Sequence, residues 1–242
     1  MRKLVYVPLY HPSQVKFISK DSFKEIVQNH LSEFSTKPDE YYSMLKEDFL
    51  NLNLKKARAY LDGYPFNARQ EKFDLEPDEY APEMRILNDL LERGAILEHT
   101  ENVELMHQQN ANFEALQEVY GKLAEELHIM DEEDSGDEGI RASDLDLTEK
   151  MVQLYEEIDN LVESRDSYVA RQIAKTLQED ETGILIMGVY HDVISKLPDD
   201  IQTEPLSERL VEIAREFKKK FPHGTEAISN YIGELEGREL KG

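Results

Sequence analysis

The chain has 242 residues, 51 Asp and Glu against 28 Lys and Arg, a formal net charge of −23, and neither Cys nor Trp. Its length fits one large domain or two small ones, and its 40% hydrophobic residues suffice for a core. The composition excludes a disulfide framework, a thiolate metal site, an iron–sulfur cluster and a cysteine nucleophile; the acid excess argues against a nucleic-acid partner, which needs clustered Lys and Arg.

Met1-Arg2-Lys3 followed by Leu4 to Tyr10 imitates a signal-peptide opening, but the apolar run is seven residues long and ends at His11-Pro12. With no small-residue cleavage site, Lys3 to Tyr10 reads as a first buried strand. Nothing approaches the ~18 apolar residues of a membrane span, so a cytoplasmic protein without a membrane partner is expected. Helical patterns at Asp21 to Phe34 and Pro38 to Leu50 lead to a second strand, Lys55 to Leu61, stopped by Asp62-Gly63. A helix over Pro77 to Arg93, closed by Gly94 as C-cap, precedes a third strand, Ala95 to Glu98.

From Val103 to Leu177 the pattern changes. Val103, Met106, Phe113, Leu116, Tyr120, Leu123 and Leu127 recur at helical spacing, as do Leu154, Ile158, Leu161, Val162, Val169, Ile173 and Leu177. Two long amphipathic helices packing their stripes together would form an antiparallel hairpin over 103–180, with an acidic loop over 129–147. The core of that loop, Met130 to Gly139, carries six acids and no base. An EF-hand started at Asp131 places Gly136 correctly, but its closing Glu would fall on Ala142. A solvated acidic linker is therefore expected. Gly183 to Tyr190 is a near-continuous apolar run, suited to a strand buried on both faces, and Ile201 to Pro205 offers a weaker fifth. Strand–helix alternation predicts a single α/β domain over 1–242, with a mainly parallel sheet flanked by helices. The hairpin is inserted before the last main strand.

The GxSxG, P-loop, GxGxxG and HExxH motifs are absent, so no nucleotide cofactor is expected. Lys218-Lys219-Lys220 ends a predicted helix, where cations suit the dipole. Chemistry has to be sought by position, because ligands of open α/β sheets bind at the carboxyl ends of the strands. Strand one ends in Tyr10-His11 and strand four in Tyr190-His191-Asp192; Asp62 follows strand two, and Glu98, His99 and Glu101 follow strand three. If the strands are parallel, two histidines and several carboxylates share one rim, a donor set suited to Zn, Mn, Co or Fe and to activation of water. Taken alone, each histidine is more simply a strand-end cap; the repeated Tyr-His ending raises the case for a shared site. His30, His107, His128 and His223 lack that placement and read as surface residues.

Arg165 falls near the middle of the apolar face of the second long helix. Either its stem packs while the guanidinium reaches solvent, or it pairs with a buried carboxylate or a bound anion. Asp166 lies ~100° away around the helix and would flank the same site.

At these residues the chain resembles the TraB/Tiki family, within a superfamily that includes erythromycin esterase-like and ChaN-like proteins. Arg165 matches a helix arginine of the family's C-terminal block, and Gly188-Val189-Tyr190-His191 matches its GxxH. Pro8-Leu9-Tyr10-His11 stands where the family has a first GxxH, with proline for glycine; Asp62 and Glu101 are the nearest counterparts of the family acids, Glu98 a weaker one. The resemblance implies an α/β fold with duplicated halves and, for some members, metal-dependent hydrolysis. It yields a candidate metal set of His11, Asp62, Glu101 and His191 for Zn, Mn or Co. Arg165 and Glu101 are the candidate catalytic residues, acting on an amide or ester of a small molecule or peptide. A non-catalytic module recognising a partner through the hairpin is the rival, and the apolar stripes would equally suit a homo-oligomer.

Overall fold

The computed structural model describes residues 1–9, 45–50, 52, 54, 56–63, 82–132 and 142–220. The predicted helix at 21–34, most of that at 38–50, and the strand-end residues Tyr10 and His11 lie outside the described residues. The elements are β1 (Arg2–Leu9), β2 (Ala57–Leu61), α1 (Pro82–Glu92), β3 (Ile96–Leu97), α2 (Val103–Glu132), α3 (Ala142–Thr176), β4 (Thr182–Gly188), a short 3-10 turn (Ile194–Lys196), β5 (Ile201–Pro205) and α4 (Glu208–Lys220). A short helical stretch also covers 45–50.

The five strands form one all-parallel sheet in the order β3-β2-β4-β1-β5. β4 sits at the centre, paired with β1 along Lys3↔Thr182 to Leu9↔Gly188 and with β2 along Ala57↔Thr182 to Leu61↔Ile186. Side chains of a strand alternate between faces, and here both faces are apolar. Ile184 and Ile186 of β4 join Val7, Ala59 and Leu61 in a core with Ile86, Leu87 and Leu90 of α1 and Leu210 of α4. Leu185 and Met187 turn the other way, to Leu4, Tyr60, the α3 residues Val169, Ala170 and Ile173, and Leu177 just past that helix. This two-sided burial is why GILIMG reads as an unbroken apolar run. The α/β architecture with a parallel sheet flanked by helices is thus established.

Two glycines have positional reasons. Gly94 has φ +96°, with its N–H donating to Leu91 O at 3.0 Å and the N–H of Ala95 to Leu90 O at 3.0 Å. This is the Schellman pair that closes a helix through a left-handed residue. A Cβ on Gly183 would stand 2.6 Å from Leu4 Cδ1, so any larger residue there would force the buried Leu4 side chain to shift.

The chain divides into two compact units: Met1–Asn102 with Arg165–Lys218, and Val103–Ser164 with the chain from Lys219. The boundary inside α3 falls at Ser164/Arg165, so the sheet unit holds the C-terminal part of the helical region predicted over 103–180. In the second unit Leu116 and Val119 of α2 cluster with Met151, Leu154, Tyr155 and Ile158 of α3, and Asn112 Nδ2 donates to Glu157 Oε2 at 3.2 Å. Val103, predicted as part of the apolar stripe, is 47% exposed and starts the helix. The acidic loop predicted over 129–147 is too wide. Helix runs through Glu132 and resumes at Ala142. Among the described residues no helix is long and apolar enough to cross a membrane.

Candidate functional site

Because the strands are parallel, their carboxyl ends lie at one edge of the sheet, and the segments after β2, β3 and β4 carry the polar residues. β2 ends at Leu61, and Asp62 and Gly63 turn away, Gly63 with φ +71°. The segment after β3 is fastened beside it by Thr100, fully buried, whose Oγ1 accepts the Leu61 N–H at 3.2 Å and donates to Glu98 O at 3.1 Å. That fastening delivers Glu101, also fully buried, to the end of β2, where its Oε1 accepts the Gly63 N–H at 3.2 Å.

Arg165 of α3 meets these acids. Its Nε donates to Glu101 Oε2 at 3.1 Å and its Nη2 to Glu101 Oε1 at 2.5 Å, a two-pronged pairing, while Nη2 also donates to Asp62 Oδ1 at 2.9 Å. Of the two readings open for Arg165, pairing with buried carboxylates is the one observed; the residue is only 7% exposed.

Past β4, the amide of His191 donates to Gly188 O at 3.1 Å, folding the chain into a tight turn. The turn sets His191 between two carboxylates. Its Nδ1 donates to Asp166 Oδ1 at 2.5 Å, and its Nε2 lies 3.4 Å from Asp62 Oδ2. Asp166 is itself fixed, because Oδ2 accepts the Asp192 N–H at 2.6 Å; Asp62 Oδ2 likewise accepts the Gly188 N–H at 3.1 Å. Asp62, Glu101, Arg165, Asp166 and His191 therefore form one continuous cluster within the sheet unit.

Three carboxylates face one guanidinium and one imidazole, an excess of negative charge in a dehydrated place. Burial alone would lower the pKa of His191, but the charge of Asp62 and the hydrogen bond and charge of Asp166 outweigh it and raise it. Burial raises the pKa of Glu101, and Arg165 offsets this only in part. The guanidinium of Arg165, penalised by burial, is held charged by Glu101 and Asp62.

The other predicted residues have separate places. His11 lies outside the described residues. Glu98 pairs with Arg58, which also binds Glu181. His99 makes an edge-to-face contact with Tyr168, with centroids 6.5 Å apart and planes at 76°. His107 is exposed, as predicted. Sequence reasoning named Asp166 only as a flank and missed Thr100; the helical position beside Arg165 was the available signal for the first, and nothing in the sequence marks the second.

Among the described residues no three His, Asp or Glu side chains group as a metal site. Both oxygens of Glu101 are held by Arg165, and both of Asp62 also accept hydrogen bonds, from Arg165 and the Gly188 amide. His191 Nε2 and Asp62 Oδ2, 3.4 Å apart, are within ion-pair range, a separation that two donors at ~2.0–2.2 Å from one tetrahedral ion would also have. No protein-family model, curated protein or solved structure matches the chain.

Proposed function

We propose that the chain is a metal-dependent hydrolase of amide or ester bonds, of the TraB/Tiki-like type, working at the strand-end cluster. The observation that supports this most directly is the line Asp166–His191–Asp62. A carboxylate holds one imidazole nitrogen and so aims the other at a second carboxylate, at ligand-pair spacing. His191 and Asp62 would hold a divalent ion, with His11 the further donor expected from the sequence; such an ion supplies a water acidic enough to attack a carbonyl near neutral pH.

The chain's other residues act as positioning groups. Asp166 fixes the tautomer and plane of His191. Arg165 and the Gly188 amide each hold one oxygen of Asp62, which fixes the carboxylate's orientation. Glu101 keeps Arg165 in place and is in turn held by the Gly63 amide.

The test uses chelator-stripped chain titrated with Zn, Mn or Co by calorimetry, then assayed on neutral aryl esters and aminoacyl anilides. Stoichiometric binding and hydrolysis are expected, both abolished by His191→Ala and Asp62→Ala. Metal affinity should fall ~10–100-fold in Asp166→Asn. Metal-free protein that ignores all three ions and cleaves neither substrate class would overturn the reading.

A further inference from the structure

Beside the cluster lies a cleft of about 320 Å³, at the lower end of volumes that hold a small organic ligand. Its body is apolar, built from Pro8 of β1, Met187 of β4, Val193 and Ile194 after β4, and Val211 and Ala214 of α4; His191 stands in its wall. Along α4, Val211, Ala214, Arg215 and Lys218 follow the i, i+3, i+4, i+7 spacing of a single helix face, so the face that carries the apolar pair also brings two cations to the cleft.

Acids outnumber bases 51 to 28 overall, yet among the described residues the cleft lining holds Arg215 and Lys218 against one carboxylate, Asp192, which already accepts from Ser195 Oγ at 2.6 Å. No side-chain hydrogen bond or ion pair engages Arg215 or Lys218 among the described residues, and both are exposed. The charge of Arg215 is felt at the neighbouring Tyr6, where it opposes Glu208. Two cations on the rim of an apolar cleft, on the α4 side away from the buried carboxylates, offer a negative group a partner.

We propose that this cleft binds an amphiphilic anion, its apolar body on the Met187 and Val211 side and its carboxylate or phosphate on Arg215 and Lys218. Carboxylate and phosphate share the recognising chemistry, acceptor oxygens meeting a guanidinium and an ammonium. Because His191 stands in the same wall, the proposal names the substrate class of the hydrolase suggested above and rests on that reading only for turnover. Binding of the anion stands without it.

The experiment is calorimetry or chemical-shift titration of the full chain with octanoate, octyl phosphate and, as an uncharged control, octanol. Saturable binding of at least one anion, weakening with salt, is expected. It should fall at least about tenfold in Arg215→Gln/Lys218→Gln and further in Arg215→Glu/Lys218→Glu. Both positions are exposed, and an unchanged thermal melt would show that the fold is kept. The stronger of the two anions identifies the head group. No binding of either anion, octanol binding as tightly, or anion affinity unchanged in both double variants would each overturn the proposal. The readout is binding without turnover, so a chain that binds octanoate but hydrolyses nothing would remove the hydrolase reading and leave this one standing.

Discussion

Arg58 and Arg165 each meet two carboxylates brought from separate parts of the chain: Glu98 and Glu181 for Arg58, Asp62 and Glu101 for Arg165. The pairing chemistry is the same. The surroundings are not. The side chains of the Arg58 group keep 15–20% of their exposure, so water still shares the charges, and hydrogen bonding to Arg58 holds Glu181 below the usual carboxylate range. Around Arg165, Glu101 is fully buried and its pKa moves the other way, because dehydration outweighs the guanidinium. The first cluster is a clamp between β2, β3 and the chain entering β4. The second carries surplus negative charge beside a histidine, the kind of perturbed cluster from which the candidate site is argued.

The largest expected effect is on removing the arginine. Arg165→Met leaves two buried carboxylates without their cation, a change that costs about 3–5 kcal/mol. Arg58→Met loses a partly hydrated pair and should cost only about 1 kcal/mol. Urea unfolding of both variants measures the difference, and equal losses would break the contrast. The pH dependence of the two acids sharpens it at smaller scale. Glu181 has a lowered folded pKa, so its contribution is present above the unfolded value and lost as pH falls through the folded one; Glu181→Gln should cost most above about pH 4.5 and least in acid. Glu101 has a raised folded pKa, so its contribution is present below the unfolded value and lost as pH rises; the cost of Glu101→Gln should shrink as pH climbs from about 4.5. Denaturation midpoints across that window should give slopes of opposite sign.

Much of the sheet could be read directly from residues. The KLVYVPLY and GILIMG runs announce strands buried on both faces, and Gly94 announces the end of α1. Arg165 stood out because a cation on an apolar helix face demands a partner. Other features carried no local signal. The two-residue β3 is held by pairing with Arg58 and Ala59 and not by its own pattern. Thr100 acts through a contact 39 residues away, and the choice of Glu101 over Glu98 as the partner of Arg165 depends on how the segment after β3 turns. Periodicity cannot express such facts, because they arise only when distant strands align. The acidic loop expected over 129–147 is wider than the break between the helices for a related reason: a run of acids does not by itself mark where one helix stops or the next begins.

The smallest expected effect is the most diagnostic of how the buried cluster is wired. In metal-free protein His191 should titrate above the ordinary histidine value, since Asp62 and Asp166 together outweigh its burial. A raised folded pKa stabilises the fold below the unfolded value of about 6.5, and that contribution fades as pH rises through the folded value. Long-range 15N NMR should find the proton retained on Nδ1, facing Asp166, while Nε2 titrates. Asp166→Asn and Asp62→Asn each remove one of the two opposing charges, and burial then pulls the pKa down, so both variants should titrate lower than the parent. Only Asp166→Asn should also loosen the tautomer, because Asp62 faces the other nitrogen. A His191 that titrates as an exposed imidazole would mean that the two carboxylates do not act on it together, and the contrast with the Arg58 clamp would reduce to burial alone.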